Sequence, residues 1–191
     1  MTYIPKISVY MPNYNYFKYI DQAIKSVINQ NCESWELLII QDGNIDKSDK
    51  IIKDYKKKYP SKIKLFKNKK RKGLQFCANL ALKNSLGKYI IRLDPDDYFD
   101  ESALLIMSSI LDKKRSIDLI YSDYYYVDTQ SNILDLEKRR KIGLEDLALD
   151  MPAHGACTMI RKKQLIKLGG YNEDFKAQDG YDRSEEHTSE L

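Results

Sequence analysis

GKYIIRLDPDDYFDE, Gly87 to Glu101, is the stretch whose reading decides the fold. A glycine turn leads into Tyr89-Ile90-Ile91, an apolar and β-branched run that predicts a buried strand. The strand runs into Asp94-Pro95-Asp96-Asp97, three carboxylates in four residues. Pro95 fixes its own φ and biases Asp94 towards an extended backbone, so a rigid turn is expected at the strand end. Carboxylates this crowded repel one another unless something cationic sits between them. A divalent cation with oxygen ligands, Mg²⁺ or Mn²⁺, would relieve that repulsion and would also hold a diphosphate. A solvated acidic turn capping a helix near Ser102 accounts for the same residues equally well. The neighbouring elements must decide.

Upstream, strands and helices alternate. Ile4 to Tyr10 predicts a first strand stopped by Pro12, and Ile20, Ala23, Ile24, Val27 and Ile28 form one apolar helical stripe. Trp35 to Ile40 predicts a second strand ending at Gln41-Asp42-Gly43-Asn44, and Asp46 or Ser48 caps the next helix. Lys62 to Phe66 alternates as a third strand, and Leu74 to Leu86 predicts a third helix with Cys77, Ala78, Ala81 and Leu82 on its apolar side. Such alternation indicates βαβ units in a mostly parallel sheet, where ligands bind beyond the carboxyl ends of the strands. That edge receives Pro12 and Tyr14 from the first strand, Asp42 from the second, and Asp94 and Asp96 from the fourth. Three polar signals at equivalent strand ends exceed ordinary turn chemistry.

Downstream the pattern changes. A helix over Ala103 to Leu111 and a strand over Asp118 to Tyr121 precede Tyr124-Tyr125-Tyr126, an aromatic run expected in the core. Val127 to Arg140 predicts a hairpin or exposed ribbon turning at Ser131-Asn132, and Ile142 to Leu149 a short helix. A strand over Ala156 to Arg161 leads to a short helix ending at Gly169-Gly170. No repeat, linker or low-complexity segment divides the chain, which predicts one domain.

Composition sets the class. The 191 residues are 42% hydrophobic and 31% charged, enough for one sizeable core. No apolar run approaches the ~18–20 residues that span a bilayer. The N-terminus lacks the pattern of a secretory signal, so a cytoplasmic location is expected. Cys32, Cys77 and Cys157 are odd in number and far apart, which suits reduced thiols better than a disulfide framework or a zinc site. RSEEHTSEL, residues 183–191, reads as the in-frame translation of a common sequencing adapter. It is expected to be non-native, leaving a domain over 1–182 incomplete at its C-terminal side. The net charge of +4 becomes +6 once the one Arg and three Glu of that stretch are removed. Spread so widely, this charge gives only weak attraction to an anionic membrane leaflet.

SVYMPNYN (8–15), LLIIQDGNIDKSDKIIKDY (37–55), GLQFCANLALKNSLGKYIIRLDPDD (73–97), GACTMIRKKQLIKLGGYNEDF (155–175) and AQDGYD (177–182) follow one another at the spacing of a known family. Together they resemble the family 2 glycosyltransferases, whose domain has the GT-A fold, a Rossmann-like α/β arrangement. Gln41 stands where the family has the first Asp of its DDGSxDxS segment, Asn44 replaces its Ser, and Gln178 replaces the Glu of its ED motif.

The resemblance implies a sugar nucleotide, UDP-, GDP- or dTDP-linked, as donor. It places Pro12 and Tyr14 in the base pocket and makes Asp42 an acceptor for the base. It puts Asp94 at the ribose, and Asp96 on the cation bridging the diphosphate, with Asp97 supporting through water. Asp179 is implied as the general base that takes the acceptor proton, with inversion in a single displacement. The acceptor class is a glycan or lipid-linked sugar of a surface polysaccharide or glycolipid.

Plainer roles exist for each. Tyr14 is one of fifteen tyrosines, Asp42-Gly43 and Asp179-Gly180 are turn dipeptides, and Arg71 and Lys72 belong to a basic run from Lys67 that reads as a solvated surface. His154 fits an exposed structural position as well as an acceptor contact. A sugar-phosphate nucleotidyltransferase would need a glycine-rich loop after the first strand, and MPNYNYFKY has none. A catalytically silent nucleotide-binding module is the alternative that Gln41 and Gln178 favour. Basic and aromatic residues form no recognised nucleic-acid motif.

Overall fold

The computed structural model describes residues 3–139 and 156–174. β1 (Ile7–Asn13), β2 (Trp35–Asp42), β3 (Ile63–Asn68) and β4 (Tyr89–Arg92) alternate with α1 (Ile20–Ile28), α2 (Ser48–Lys58) and α3 (Leu74–Asn84). Then come α4 (Ala103–Lys113), β5 (Leu119–Tyr121), the hairpin β6 (Tyr124–Val127) and β7 (Ile133–Glu137), β8 (Thr158–Arg161) and α5 (Lys162–Lys167). Six strands form one sheet in the order β3-β2-β1-β4-β8-β5. β1 to β4 are parallel, β8 is antiparallel to β4, and β5 is antiparallel to β8. The mostly parallel α/β sheet expected from the alternation is present.

Side chains alternate across this sheet. Ile7, Val9, Met11, Leu37 and Ile39 face one layer, where Ile20, Ile24 and Val27 of α1, Ile52 of α2 and Leu104 and Leu111 of α4 are buried with them. Tyr10, Leu38, Ile40 and Ile90 face the other layer, formed by Cys77, Ala78 and Ala81 of α3 and Leu165 of α5. Each fully buried aliphatic side chain contributes about 1.5–3 kcal/mol.

Pro12 does not stop β1. Even-numbered residues of β1 face β4, since Lys6 and Tyr10 accept from the Tyr89 and Leu93 N–H groups. Pairing with β4 covers only Ile7 to Tyr10, whereas pairing with β2 continues to Asn13. The donor that Pro12 lacks therefore points where no partner strand lies, and it breaks no ladder bond. α3 ends before the expected Leu86, because Ser85 takes an extended backbone (φ −74°, ψ 144°).

The tyrosine run is not core. Among the described residues β6 pairs only with β7, as a separate two-stranded ribbon, and Tyr125 and Tyr126 are 57% and 49% exposed. Among the described residues neither core cluster includes a side chain of the ribbon, although Tyr124 and Val127 are half-buried. The Tyr124 and Tyr126 rings meet edge-on at 5.3 Å and the Arg139 guanidinium lies 5.1 Å from the Tyr124 ring. The hairpin turn is held by the Asp128 carboxylate, which accepts from the Gln130 and Asn132 N–H groups. The helix expected over Ile142 to Leu149 lies outside the described residues, as does 183–191.

Two buried charged residues lock the layers. Arg161 of β8 donates to the carbonyls of Leu111, Lys114 and Ile117, so a cation caps the C-terminus of α4. Glu36 of β2 is 1% exposed. It accepts from Ser8 Oγ (2.6 Å) and the Leu86 N–H, and pairs with Lys64 Nζ at 2.7 Å. Ser8 Oγ in turn accepts the Gly87 N–H at 2.8 Å. A Cβ on Gly87 would sit 2.6 Å from the Ser8 backbone nitrogen, so only glycine fits this crossing.

Glu36→Ala should therefore lose about 2–3 kcal/mol of stability, because buried donors lose their acceptor, while Glu36→Gln should lose less. Gly87→Ala should be at least as damaging as Glu36→Gln. Urea unfolding midpoints measure all three, and an unchanged midpoint for Glu36→Ala would refute the role given to this network.

Candidate active site

The parallel register sets Asn13 beside Gln41 and Tyr10 beside Arg92. The carboxyl ends of β1, β2 and β4 thus open on one edge. Pro12 and Tyr14 are half-buried there, Asp42 and Asp94 are buried, and Asp96 and Asp97 are exposed as whole residues while surrounding protein crowds their carboxyl groups.

Asp42 anchors a loop. Its carboxylate accepts from Asn68 Nδ2 (2.7 Å) and from the backbone N–H groups of Lys72 (2.9 Å) and Gly73 (2.9 Å). Next to it Gly43 has φ +82°, and a Cβ there would meet the Arg71 backbone nitrogen at 2.7 Å. The basic loop after β3 is therefore seated on the end of β2, backbone against backbone. Its Arg71 guanidinium lies 4.5 Å from the Tyr14 ring centroid, a cation–π stack. Part of the basic run is thus brought into the edge, next to the aromatic ring expected there.

The NIDKS turn, residues 44–48, ties the first two strand ends together. Ser48 Oγ donates to the Asp46 carboxylate, and so it accepts from Asn13 Nδ2 (3.1 Å) and Asn44 Nδ2 (2.9 Å). Asp46 also accepts the Phe17 N–H at 2.8 Å. Although burial works against the charge, the hydrogen bonds from Ser48, Phe17 and Asn44 hold the Asp46 carboxyl below its ordinary range. A permanent anion here pins the turn that follows Pro12 and Tyr14. Neither Asp46 nor Ser48 occupies the N-cap of α2, which is Lys47. Ser48 begins the helix and its N–H donates to the Asp46 carboxylate, and sequence reasoning did not find the buried Asn13.

The residue that sequence reasoning missed most clearly is Arg92. Two positions apart on an extended chain, Arg92 and Asp94 point the same way. Arg92 Nε lies 3.1 Å from Asp94 Oδ1 and Nη2 lies 3.2 Å from Oδ2, both residues being buried. The signal was an arginine inside an otherwise apolar strand, in step with the first aspartate. Counter-charge for Asp94 is thus built into the chain.

Asp96 and Asp97 have less relief. Loss of water contact raises the Asp96 carboxyl above its ordinary range. Asp97 is pushed up to about 7, first by loss of water contact and then by the charges of Asp94 and Asp96, against the pull of Arg92 and Arg139. The turn is braced from behind. Gln30 just past α1 donates to the Asp100 carbonyl (2.6 Å) and accepts the Leu104 N–H (2.9 Å), and Ser26 Oγ accepts the Phe99 N–H (3.1 Å).

Among the described residues, no three His, Cys, Asp or Glu side chains form a ready metal cluster. The donor set still fits a hard cation of the Mg²⁺ or Mn²⁺ kind. Such ions are commonly held by one or two carboxylates with substrate phosphates completing the shell, and Asp96 and Asp97 are carboxylates whose crowding a cation would relieve. His154, Gln178 and the expected base Asp179 lie outside the described residues.

The sequence profile of glycosyl transferase family 2 matches residues 8–169. The chain belongs to glycosyl transferase family 2. It is 32% identical over 176 residues to the minor teichoic acid biosynthesis protein GgaB of Bacillus subtilis, covering 88% of this chain and 19% of GgaB. Among solved structures, S. aureus TarS 1-349 in complex with UDP superposes with a TM-score of 0.74 at 20% identity, over 90% of this chain and 52% of that one. The mannosyltransferase PcManGT of Pyrobaculum calidifontis, in complex with GDP-Man and Mn²⁺, gives 0.69 at 17% identity, over 93% and 50%. The chain thus spans about half or less of these proteins, and the two structural likenesses establish the GT-A fold of this family 2 domain.

Arg92→Met should destabilise the domain by about 3 kcal/mol, since it leaves Asp94 buried without its guanidinium. A melting temperature equal to that of the parent would contradict this. For Asp97 the folded state binds an extra proton between the ordinary value of 3.8 and about 7, so this residue's contribution to stability falls as pH rises through that window. In EDTA, Asp97→Asn should therefore raise the melting temperature modestly near ~pH 8 and not at all near ~pH 4.

Proposed function

We propose that this family 2 domain transfers a glycosyl group from a nucleotide-diphospho-sugar to an acceptor hydroxyl, in a metal-assisted displacement that inverts the anomeric centre. The observation that carries the proposal is the meeting of Pro12, Tyr14, Asp42, Asp94 and Asp96 at one carboxyl edge, with Arg71 stacked on Tyr14 and Arg92 on Asp94.

Pro12 and Tyr14 line the base pocket in this proposal, with the base stacking against the Tyr14–Arg71 pair. Asp42 lines the same pocket while its oxygens hold the loop that carries Arg71. Asp94, oriented by Arg92, receives a ribose hydroxyl. Asp96 would hold a Mg²⁺ or Mn²⁺ ion, with Asp97 supporting it through water. A bound cation would act as a Lewis acid on the charge of the departing nucleoside diphosphate. Asp179 takes the proton from the acceptor hydroxyl as that oxygen attacks the sugar from the face opposite the leaving group. The nucleotide complexes of TarS and PcManGT, the second with Mn²⁺, support a UDP- or GDP-linked donor, with dTDP as the remaining option.

For the acceptor we propose a glycan or lipid-linked sugar in surface polysaccharide or glycolipid synthesis, supported by the likeness to GgaB. Among the described residues no helix is long and apolar enough to cross a membrane. We propose a cytoplasmic site of action, peripheral to the inner face of the membrane.

Calorimetric titration of UDP, GDP and dTDP, with Mn²⁺ and with EDTA, tests the donor side. Binding by one of them should require metal and should disappear in Asp96→Ala. Binding indifferent to both metal and mutation would remove the role given to Asp96. Asp179→Asn should keep nucleotide affinity and lower turnover about 10²–10³-fold. Metal-dependent binding with no transfer to any acceptor would favour the silent nucleotide-binding module.

A further inference from the structure

The loops that follow β1, β2 and β3 are tied into one rim. Asn15 Oδ1 accepts the Ile45 N–H at 3.0 Å, and the Asp46 carboxylate accepts the Phe17 N–H at 2.8 Å, which joins the first loop to the second. A Cβ on Gly43 would lie 2.7 Å from the Arg71 nitrogen and 3.0 Å from the Lys70 carbonyl carbon, so the second loop lies directly against the third. The three strands are parallel, and all three loops therefore leave the carboxyl edge together.

This rim gathers cations that the sequence spreads out. Lys18, Lys47, Lys69 and Lys70 come from three separate stretches, and all four are exposed. Among the described residues none of the four has an acidic partner, whereas Lys25, Lys53 and Lys67 are paired with Asp21 or Asp49. The carboxylates of these loops are already engaged within the rim, Asp42 by the Lys72 and Gly73 N–H groups and Asp46 by Ser48 and Phe17. Arg71 is stacked on Tyr14 and belongs to the donor pocket.

Apolar side chains stand among these lysines. Ile45 is 90% exposed in the second loop, with Phe17 (41%) and Tyr19 (39%) in the first. The Ile45 N–H is held by Asn15, so this exposure belongs to a hydrogen-bonded turn. Scattered singly, such residues need no explanation. Here they share a rim with four unpaired cations. An anionic bilayer meets both features, offering phosphates to the lysines and an acyl boundary to the apolar groups.

We propose that the loops 15–19, 43–47 and 69–72 form a docking face for an anionic phospholipid membrane. Ile45 and Phe17 enter the headgroup boundary, and Lys18, Lys47, Lys69 and Lys70 lie on the lipid phosphates. The inference deepens the peripheral location proposed above and rests on that reading for its purpose, which is to turn the donor edge towards the leaflet holding a lipid-linked acceptor. A nucleic acid offers the same phosphates, but its backbone has no apolar layer for Ile45.

The test uses the whole chain in EDTA, without donor, sedimented with vesicles of phosphatidylcholine alone or with about 30% phosphatidylglycerol. Binding should require the anionic lipid and weaken as salt is raised. Lys69→Gln/Lys70→Gln should weaken it about 25-fold, at about fivefold for each lysine. Lys56→Gln/Lys57→Gln removes the same charge from the last turn of α2 and should change binding less than about twofold. Ile45→Ser should weaken it about fivefold. Ile45→Trp should give emission that shifts to the blue on anionic vesicles, over a constant background from Trp35, which is 2% exposed.

No binding to either vesicle overturns the proposal, as does equal binding to both or an equal loss in the two double lysine variants. Unshifted emission from Ile45→Trp also overturns it. So does tighter binding to an oligonucleotide that ignores Ile45→Ser, which would make the rim a nucleic-acid surface. Titration of UDP with Mn²⁺ separates this inference from the donor reading. Vesicle binding with no nucleotide binding would sink the donor site and leave the docking face, and the reverse result would do the opposite.

Discussion

A carboxylate taken out of water costs several kcal/mol unless donors or a counter-charge replace its hydration. Three such groups lie buried in the parallel sheet, and each is answered differently. Glu36 is met by Ser8, Lys64 and the Leu86 N–H. Asp42 is met by Asn68 and two loop N–H groups. Asp94 is met by the Arg92 guanidinium. Each solution fixes a segment that strand pairing alone leaves undetermined: the turn into β4, the basic loop after β3, and the start of the acidic turn.

The same requirement gives the edge its electrostatics. Anions are gathered where β4 ends, and arginines are brought close from within β4, from the loop after β3 and from beyond β7. Asp94 is largely compensated by Arg92. Asp96 and Asp97 are not, and the Asp97 carboxyl is raised first by loss of water contact and then by the charges of Asp94 and Asp96. In the function proposed above, an edge built this way would receive a cation together with phosphates at charged groups the protein has already oriented.

Close backbone approaches carry the rest. Gly43 lets the loop bearing Arg71 lie against β2, Gly87 lets the turn into β4 cross β1, and Gly170 lets the Asn79 amide reach Tyr171. At Gly43 and Gly170 the backbone also adopts a left-handed φ. By contrast, Tyr125, Tyr126, Ile133, Leu134 and Leu136 of the β6–β7 ribbon remain exposed.

The amino-acid sequence by itself determined the layer order. Strand and helix periodicities are local, so α1 is found at the expected residues and β2 and β4 at the expected strands. The run of Pro12, Tyr14, Asp42, Asp94 and Asp96 at strand ends followed from a parallel sheet, which superposes carboxyl termini whatever the loops do. Tertiary structure alone decided which polar residues pair. The partnership of Asp42 with the 68–73 loop spans about thirty positions, and that of Asn79 with Tyr171 spans 92, separations over which no local pattern exists. It also decided that Tyr125 and Tyr126 are exposed, because an aromatic run reads as core until the sheet to which it belongs is known. Arg92 lies between the two cases. Its period-two relation to Asp94 was legible, but the need for a cation there arises only once the sheet has buried the carboxylate.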